Sequence, residues 1–233
     1  KKEYFDEIKK LCKVYKVMGN RLLRIGSEND GGYIMLDDFK ENSIVYSFGI
    51  GGNIAWEEDM SCRNMDVFCY DHTIEELPTQ NERIHFNRIG IAGQDQEQQN
   101  LLSMESIINR NGHNGVGNLI LKMDVEGAEW EFINTVDDNI LKQFSQMTFE
   151  LHDMTEMIKS EQILSALLKI NRTHYPIWVH ANNHGRVEES GGVVMPQLIE
   201  ITYVNRKCHA PVETVFNGPL YIDSPNIREL KNW

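Results

Sequence analysis

A chain of 233 residues with 41% hydrophobic and 25% charged side chains has the make-up of a globular protein that buries one substantial core. Its 23 basic and 35 acidic side chains give a formal charge of −12 at pH 7, which argues against nucleic acid as a partner, because a phosphate backbone needs a basic face. Cys12, Cys62, Cys69 and Cys208 form no CxxC pair, so four reduced thiols in a cytoplasmic protein is the expectation, and a zinc or redox motif is not. No apolar run approaches the roughly 20 residues of a membrane span, and no secretory signal opens at Lys1. A start on Lys1 and not on Met leaves room for residues upstream.

In chain order, residues 2–18 place Tyr4, Ile8, Leu11, Cys12, Tyr15 and Met18 at helical spacing, which predicts an amphipathic leading helix. Asn29-Asp30-Gly31-Gly32 is turn chemistry, and Tyr33–Leu36 reads as a short strand of a hairpin or lid. From Ser43 onward the pattern alternates. Strands are predicted at 44–48, 67–70, 84–89, 119–123, 146–151, 176–181 and 198–204. Helices are predicted at 54–63, 99–110, 127–135 and 160–170, with a helical turn at 137–143. Such alternation implies an α/β fold with a parallel sheet covered on both faces. Between His180 and Leu198 the sequence NNHGRVEESGGVVMPQ has no helical pattern, and a parallel crossover needs a dozen or more residues and usually a helix. The last of the seven strands is therefore expected to run antiparallel to its neighbour. The tail after Lys207 carries three of the six prolines and is expected to wrap the surface.

Three strand ends carry chemistry. Ser47-Phe48-Gly49-Ile50-Gly51-Gly52-Asn53 closes the first strand with glycines that let a backbone approach a ligand. A dinucleotide fingerprint GxGxxG would need glycine where Ile54 stands. Asp71, 22 residues after Gly49, follows the second strand, where a carboxylate either accepts ribose hydroxyls or caps a helix. Gly90-Ile91-Ala92-Gly93 is either an adenine edge or an ordinary turn.

Asp124, Glu126 and Glu129 crowd the exit of the fourth strand, where the helix macrodipole alone would favour Glu129 and Glu131. Glu150 and His152 share one face of the fifth strand by alternation, and His180 ends the sixth. Two chemistries fit Asp124, Glu150, His152 and His180: a general base for a substrate hydroxyl, or a divalent cation that acidifies it. The mixed oxygen and nitrogen set suits Mg, Mn, Fe or Zn and does not choose among them. Trp130, Tyr175, Trp178 and Tyr203 could stack on a sugar, with core packing as the stronger reading. Arg186 and Lys207 could meet a phosphate, with a solvated surface as the stronger reading.

LKMDVEGAEW, SFGIGGN and YDHT together resemble the signatures of class I S-adenosylmethionine-dependent methyltransferases of the FkbM-like group. GSENDGGYIML, FELH and HANNHG…LIEITYVNR resemble a related methyltransferase-like subgroup, and the resemblance covers roughly residues 20–206. It implies a seven-stranded Rossmann-like sheet with an antiparallel last strand, an N-terminal helix and cofactor lid over 1–42, and a methyltransferase domain over 43–233. The implied cofactor is S-adenosylmethionine, with Gly49, Gly51 and Asn53 flanking its methionine portion and Asp71 holding the ribose. Asp30, Gly31, Gly32 and Tyr33 would close over it, Ser47, His72 and Ala92 would join the contacts, and Asp124 would line the methyl-transfer point.

Asp124, His152 and Glu150 are the expected catalytic residues. The implied reaction is O-methylation of a sugar, glycan precursor or related small molecule, nucleotide-linked sugars included. One departure stands out: Ser47-Phe48 replaces the acidic residue often found just before the glycines, which leaves recognition of the cofactor ammonium unassigned. The alternatives are a cofactor-binding protein without turnover, and an NAD(P)-dependent oxidoreductase, which Ile54 and the antiparallel strand disfavour. A hydrolase fits least, since no GxSxG elbow occurs.

Overall fold

The computed structural model describes residues 1–214 and 223–227. Seven strands form its main sheet: β1 Ile44–Phe48, β2 Asp66–Tyr70, β3 Ile84–Asn87, β4 Leu119–Met123, β5 Phe144–Leu151, β6 His174–Ala181 and β7 Ile199–Asn205. They lie side by side in the order β6-β7-β5-β4-β1-β2-β3. All pairs are parallel except those of β7, which runs antiparallel between β5 and β6. This is the Rossmann-like seven-stranded sheet with the antiparallel last strand that the missing crossover implied.

Alternation along the strands builds two cores. Tyr46, Phe48, Leu119, Leu121, Met123, Met147, Phe149 and Leu151 point to one face. There they pack against α1 Lys2–Leu11, α3 Met104–Arg110, α4 Glu129–Thr135, α5 Asp138–Leu141 and α6 Ser160–Ile170. Val45, Val67, Cys69 and Ile120 point to the other face, where Trp56 and Met60 of α2 Ala55–Ser61 meet them. The rest of that face is covered by an antiparallel hairpin, Leu22–Gly26 with Gly32–Leu36, in place of a helix.

Hydrogen bonds fix the hairpin to the sheet. The Gln146 amide accepts from Leu36 N–H and donates to Leu36 O, both at 3.0 Å, and the Thr202 hydroxyl donates to Ile34 O at 2.6 Å. An alternating polar row on β5, Gln146-Thr148-Glu150, with His152 just past its end, is thus turned toward the hairpin and the site, and not toward the helical core.

Boundaries differ most from expectation in two helices. The leading helix stops at Leu11, and Tyr15–Lys16 instead pairs with Val212–Glu213 as a short strand. Val14 and Val17 flank Tyr15–Lys16 with β-branched stiffness that favours extended backbone. Met18, placed on the helix's apolar side by spacing, is 65% exposed. The helix expected from residue 99 begins at Met104, because Ser103 caps it and Leu101–Leu102 pairs with Gly90–Ile91. The link from β6 to β7 is a hairpin, Val187–Ser190 with Val193–Pro196, turning at Gly191-Gly192. Both glycines have positive φ, +57° and +80°, as a two-residue type I′ turn requires. Most of the tail expected to wrap the surface, 215–222 and 228–233, lies outside the described residues.

Candidate active site

The strand order reverses between β4 and β1, the place where open α/β sheets bind ligands at their carboxyl ends. Gly49 makes the approach of these two strand ends feasible. Its φ is +74°, and a Cβ there would lie 1.6 Å from Asp124 O. Gly51, at φ +55°, faces open space. The turn is held from below by Asp71, whose Oδ2 accepts from Ile50 N–H at 2.9 Å and Gly51 N–H at 3.0 Å. Its Oδ1 accepts from the N–H and hydroxyl of Thr73, at 2.8 and 2.6 Å. Burial raises the Asp71 pKa, but these four bonds outweigh it and hold the carboxyl below its ordinary value. Asp71 therefore shapes the glycine turn as well as facing the cavity.

That cavity encloses about 440 Å³ at the ends of β1, β2 and β4. Asp30, Gly31, Gly49, Gly51, Asn53, Asp71, His72 and Asp124, all expected at the cofactor, line it. Asn53 grips the turn of the hairpin, its Nδ2 donating to Ser27 Oγ at 2.8 Å and Asp30 O at 3.2 Å. Four expected residues fall outside the lining. Gly32 is confined to the hairpin, where a Cβ would meet Ser27 O at 1.9 Å. Tyr33 is buried behind the cavity with its hydroxyl 3.5 Å from Asp124 Oδ2. Ala92 lies just past the lining residues Gly90 and Ile91.

Ser47 is fully buried, and its hydroxyl donates to Glu57 of α2. Glu57 lies 3.4 Å from Lys122, whose Nζ donates to Gly49 O at 2.9 Å. This buried trio braces the glycine turn from behind, and sequence reasoning missed two of its members. Their signals were a lysine in the otherwise apolar strand LILKM and an acid on a helix between buried Trp56 and Met60. Burial lowers the Lys122 pKa, but Glu57 and Asp124 outweigh it and keep the ammonium charged. An acidic side chain does stand beside the first motif after all, delivered by α2.

On the β5 side, one ligand atom each from Asp124, Glu150 and His152 lies within 4.8 Å of the others. His152 Nδ1 is 3.1 Å from Glu129 Oε1, which also accepts from Val125 N–H at 3.0 Å. Nε2 faces Glu126 Oε2 at 3.3 Å and Glu150 Oε1 at 3.6 Å. Glu150 is held in turn by Asn182 Nδ2, 3.0 Å from its Oε2. Glu126 and Gly127 both have positive φ, +55° and +103°, so the chain doubles back between β4 and α4 and brings three acids to one rim.

Burial drives Asp124 upward, against the pull of Lys122 and His152. Burial first, then the charges of Asp124 and Glu200, push Glu150 up to about 9. Burial opposes charge on His152, but Glu129 outweighs it and carries the ring to about 9.

His180 does not join this group. Its Nδ1 is 3.1 Å from Asp223 and its Nε2 3.1 Å from Asn226 Oδ1. Strand register sets it opposite Glu200, which stands opposite Glu150, so β7 separates the two imidazoles. Trp130, Tyr175, Trp178 and Tyr203 are all buried, which fits core packing, and Arg186 and Lys207 are exposed.

The family described as "Methyltransferase domain" matches residues 16–204, most of the chain. The chain belongs to this family. A search of curated proteins finds no match. Among solved structures the methyltransferase-domain protein is similar to a putative hemolysin from Streptococcus thermophilus, at 11% identity, TM-score 0.41, and 78% of each chain covered. It is also similar to an S-adenosylmethionine-dependent methyltransferase from Agrobacterium tumefaciens, at 8% identity and TM-score 0.39, over 71% of this chain and 57% of that one.

Membership in the family implies S-adenosylmethionine as methyl donor, and the residues fit it. The glycine cradle is open, and the cavity has the size of a small-molecule site. Among the described residues no helix is long and apolar enough to cross a membrane.

Proposed function

We propose that this methyltransferase-domain protein methylates a hydroxyl oxygen of a neutral sugar or related polyol, using S-adenosylmethionine. One observation supports it most: the donor-sized cavity and the Asp124–Glu150–His152 group share Asp124 as their common wall. The donor supplies an activated methyl on a sulfonium: the acceptor oxygen bonds to that carbon as the sulfur–carbon bond breaks, the electron pair stays on sulfur, and the hydroxyl proton passes to the acidic rim. Asp71 and the buried Lys122–Glu57 pair hold the glycine turn in shape for the donor. Within the N-terminal segment 1–42, the Asp30–Tyr33 turn of the hairpin acts as the lid, with Asn53 clasping it. Holding oxygen and methyl in line supplies much of the acceleration, because the methyl is already activated.

The rim favours a neutral acceptor. Asp124, Glu126 and Glu150 converge where the hydroxyl would sit and offer a polyol's hydroxyls hydrogen-bond acceptors, while the exposed Glu126 carboxylate disfavours an anionic group beside it. The test is release of S-adenosylhomocysteine with a panel of neutral sugars, nucleotide-linked sugars, sugar phosphates, non-sugar polyols, amines and thiols. Turnover on neutral hydroxyl acceptors supports the proposal. Turnover only on amines or thiols removes the O-methyl reading.

A further inference from the structure

We propose that Asp124, Glu150 and His152 bind one divalent metal ion, each giving one ligand atom, with His152 coordinating through Nε2. The role given to that metal rests on the methyl-transfer reading above; the binding itself does not.

The three donors come from the ends of adjacent parallel strands whose register aligns Phe149 with Met123, so β4 and β5 end side by side. Glu150 at the end of β5 and His152 just past it bring their nearest atoms, Oε1 and Nε2, to 3.6 Å apart. The wall that Asp124 shares with the cavity provides the route in.

Two outer contacts orient the donors as a metal site requires. Glu129 lies against Nδ1, which turns the other ring nitrogen toward the carboxylates. A carboxylate behind the histidine is the usual support of a metal-bound imidazole, fixing its tautomer. Asn182 occupies Glu150 Oε2 and leaves Oε1 facing the group.

Carboxyl groups also crowd the site. Asp124, Glu126, Glu129 and Glu150 all lie at this rim, and Oε2 of the fully buried Glu129 has no hydrogen-bond partner. The neighbouring Lys122 is committed to Glu57 and Gly49 O. Two carboxylate oxygens and one imidazole form a hard-to-intermediate set suited to Mg²⁺, Mn²⁺, Fe²⁺ or Zn²⁺.

A cation here would bind the acceptor hydroxyl and lower its pKa. With Asp124, Glu150 and His152 taken up as ligands, Glu126 is the rim carboxylate left to receive the proton. Its side chain is 85% exposed, so it can pass the proton to water.

The experiment is titration of MnCl2 alone into the metal-stripped protein, read by electron paramagnetic resonance, for wild type, Glu150→Gln and His152→Ala. S-adenosylhomocysteine is titrated into the same samples, and a thermal melt confirms that each is folded. One Mn²⁺ per chain is expected, with at least tenfold weaker binding in both variants. Absence of saturable binding in folded wild type, or wild-type Mn²⁺ affinity in both variants, overturns the site. Cofactor binding without Mn²⁺ binding removes the metal and leaves the methyltransferase reading. Mn²⁺ binding that follows the expected pattern without cofactor binding does the reverse.

Discussion

Gly49 and Gly51 sit two residues apart in one turn and answer to different constraints. Alanine at 49 would drive its Cβ into the Asp124 backbone, which cannot swing aside as a side chain could. Overpacking and left-handed strain together cost about 2–4 kcal/mol, so Gly49→Ala should lower the urea midpoint sharply. Alanine at 51 meets no atom within 4 Å and carries only the left-handed cost of about 1–2 kcal/mol. Gly51→Ala should therefore stay folded yet bind S-adenosylhomocysteine less tightly, because the added methyl enters the cradle. Equal stability loss in both variants would contradict this division.

A second prediction at this scale concerns His174, fully buried, with Nε2 2.9 Å from Phe144 O and Nδ1 2.7 Å from the Thr173 hydroxyl. Burial outweighs the Phe144 hydrogen bond and lowers its pKa from 6.5 to about 4. A depressed folded pKa gives stability that is present above pH 6.5 and lost as pH falls through about 4. The loss is on the order of 3 kcal/mol, and melts of wild type against His174→Gln should show a flatter acid limb in the variant. Gly49, Asp71, Asp124 and His152 were legible because strand ends advertise their chemistry locally. Glu57 and Lys122 were not, since their meaning arises only when α2 folds back over β1 and β4.

The hairpin is the element that distinguishes this sheet's second face, and its attachment can be tested directly. Gln146 satisfies both backbone groups of Leu36 in a buried setting. Gln146→Ala leaves that N–H and C=O unpaired, at about 1–3 kcal/mol for each group that water does not reach. The urea midpoint should drop, and because the same hairpin carries Asp30 over the cavity, S-adenosylhomocysteine affinity should drop with it. A fall in stability with unchanged affinity would separate the lid from the cofactor. Only half of the hairpin was readable beforehand. Tyr33–Leu36 is a dense apolar run beside a glycine turn, whereas its partner LLRIG has an arginine in its middle and mostly half-buried positions. The leading helix was overextended for the opposite reason: apolar spacing continued by coincidence through Tyr15 and Met18 after the hydrogen bonds had ended.

For the whole molecule, the strand order follows from a few features that any reader of the chain can find. Alternating apolar strands and amphipathic helices dictate the parallel part, and the short glycine-rich link after β6 dictates the antiparallel β7. That insertion sets Glu200 between Glu150 and His180, which is why four residues that looked convergent in sequence form a group of three. The sheet's point of reversal then places the glycine turn, Asp71 and Asp124 around one cavity, and the methyltransferase reading stands on that convergence. Calorimetric titration of S-adenosylmethionine and S-adenosylhomocysteine into the purified, folded protein tests it most directly. One molecule of either should bind per chain with a micromolar dissociation constant. A folded protein that takes up neither would contradict the account at its centre.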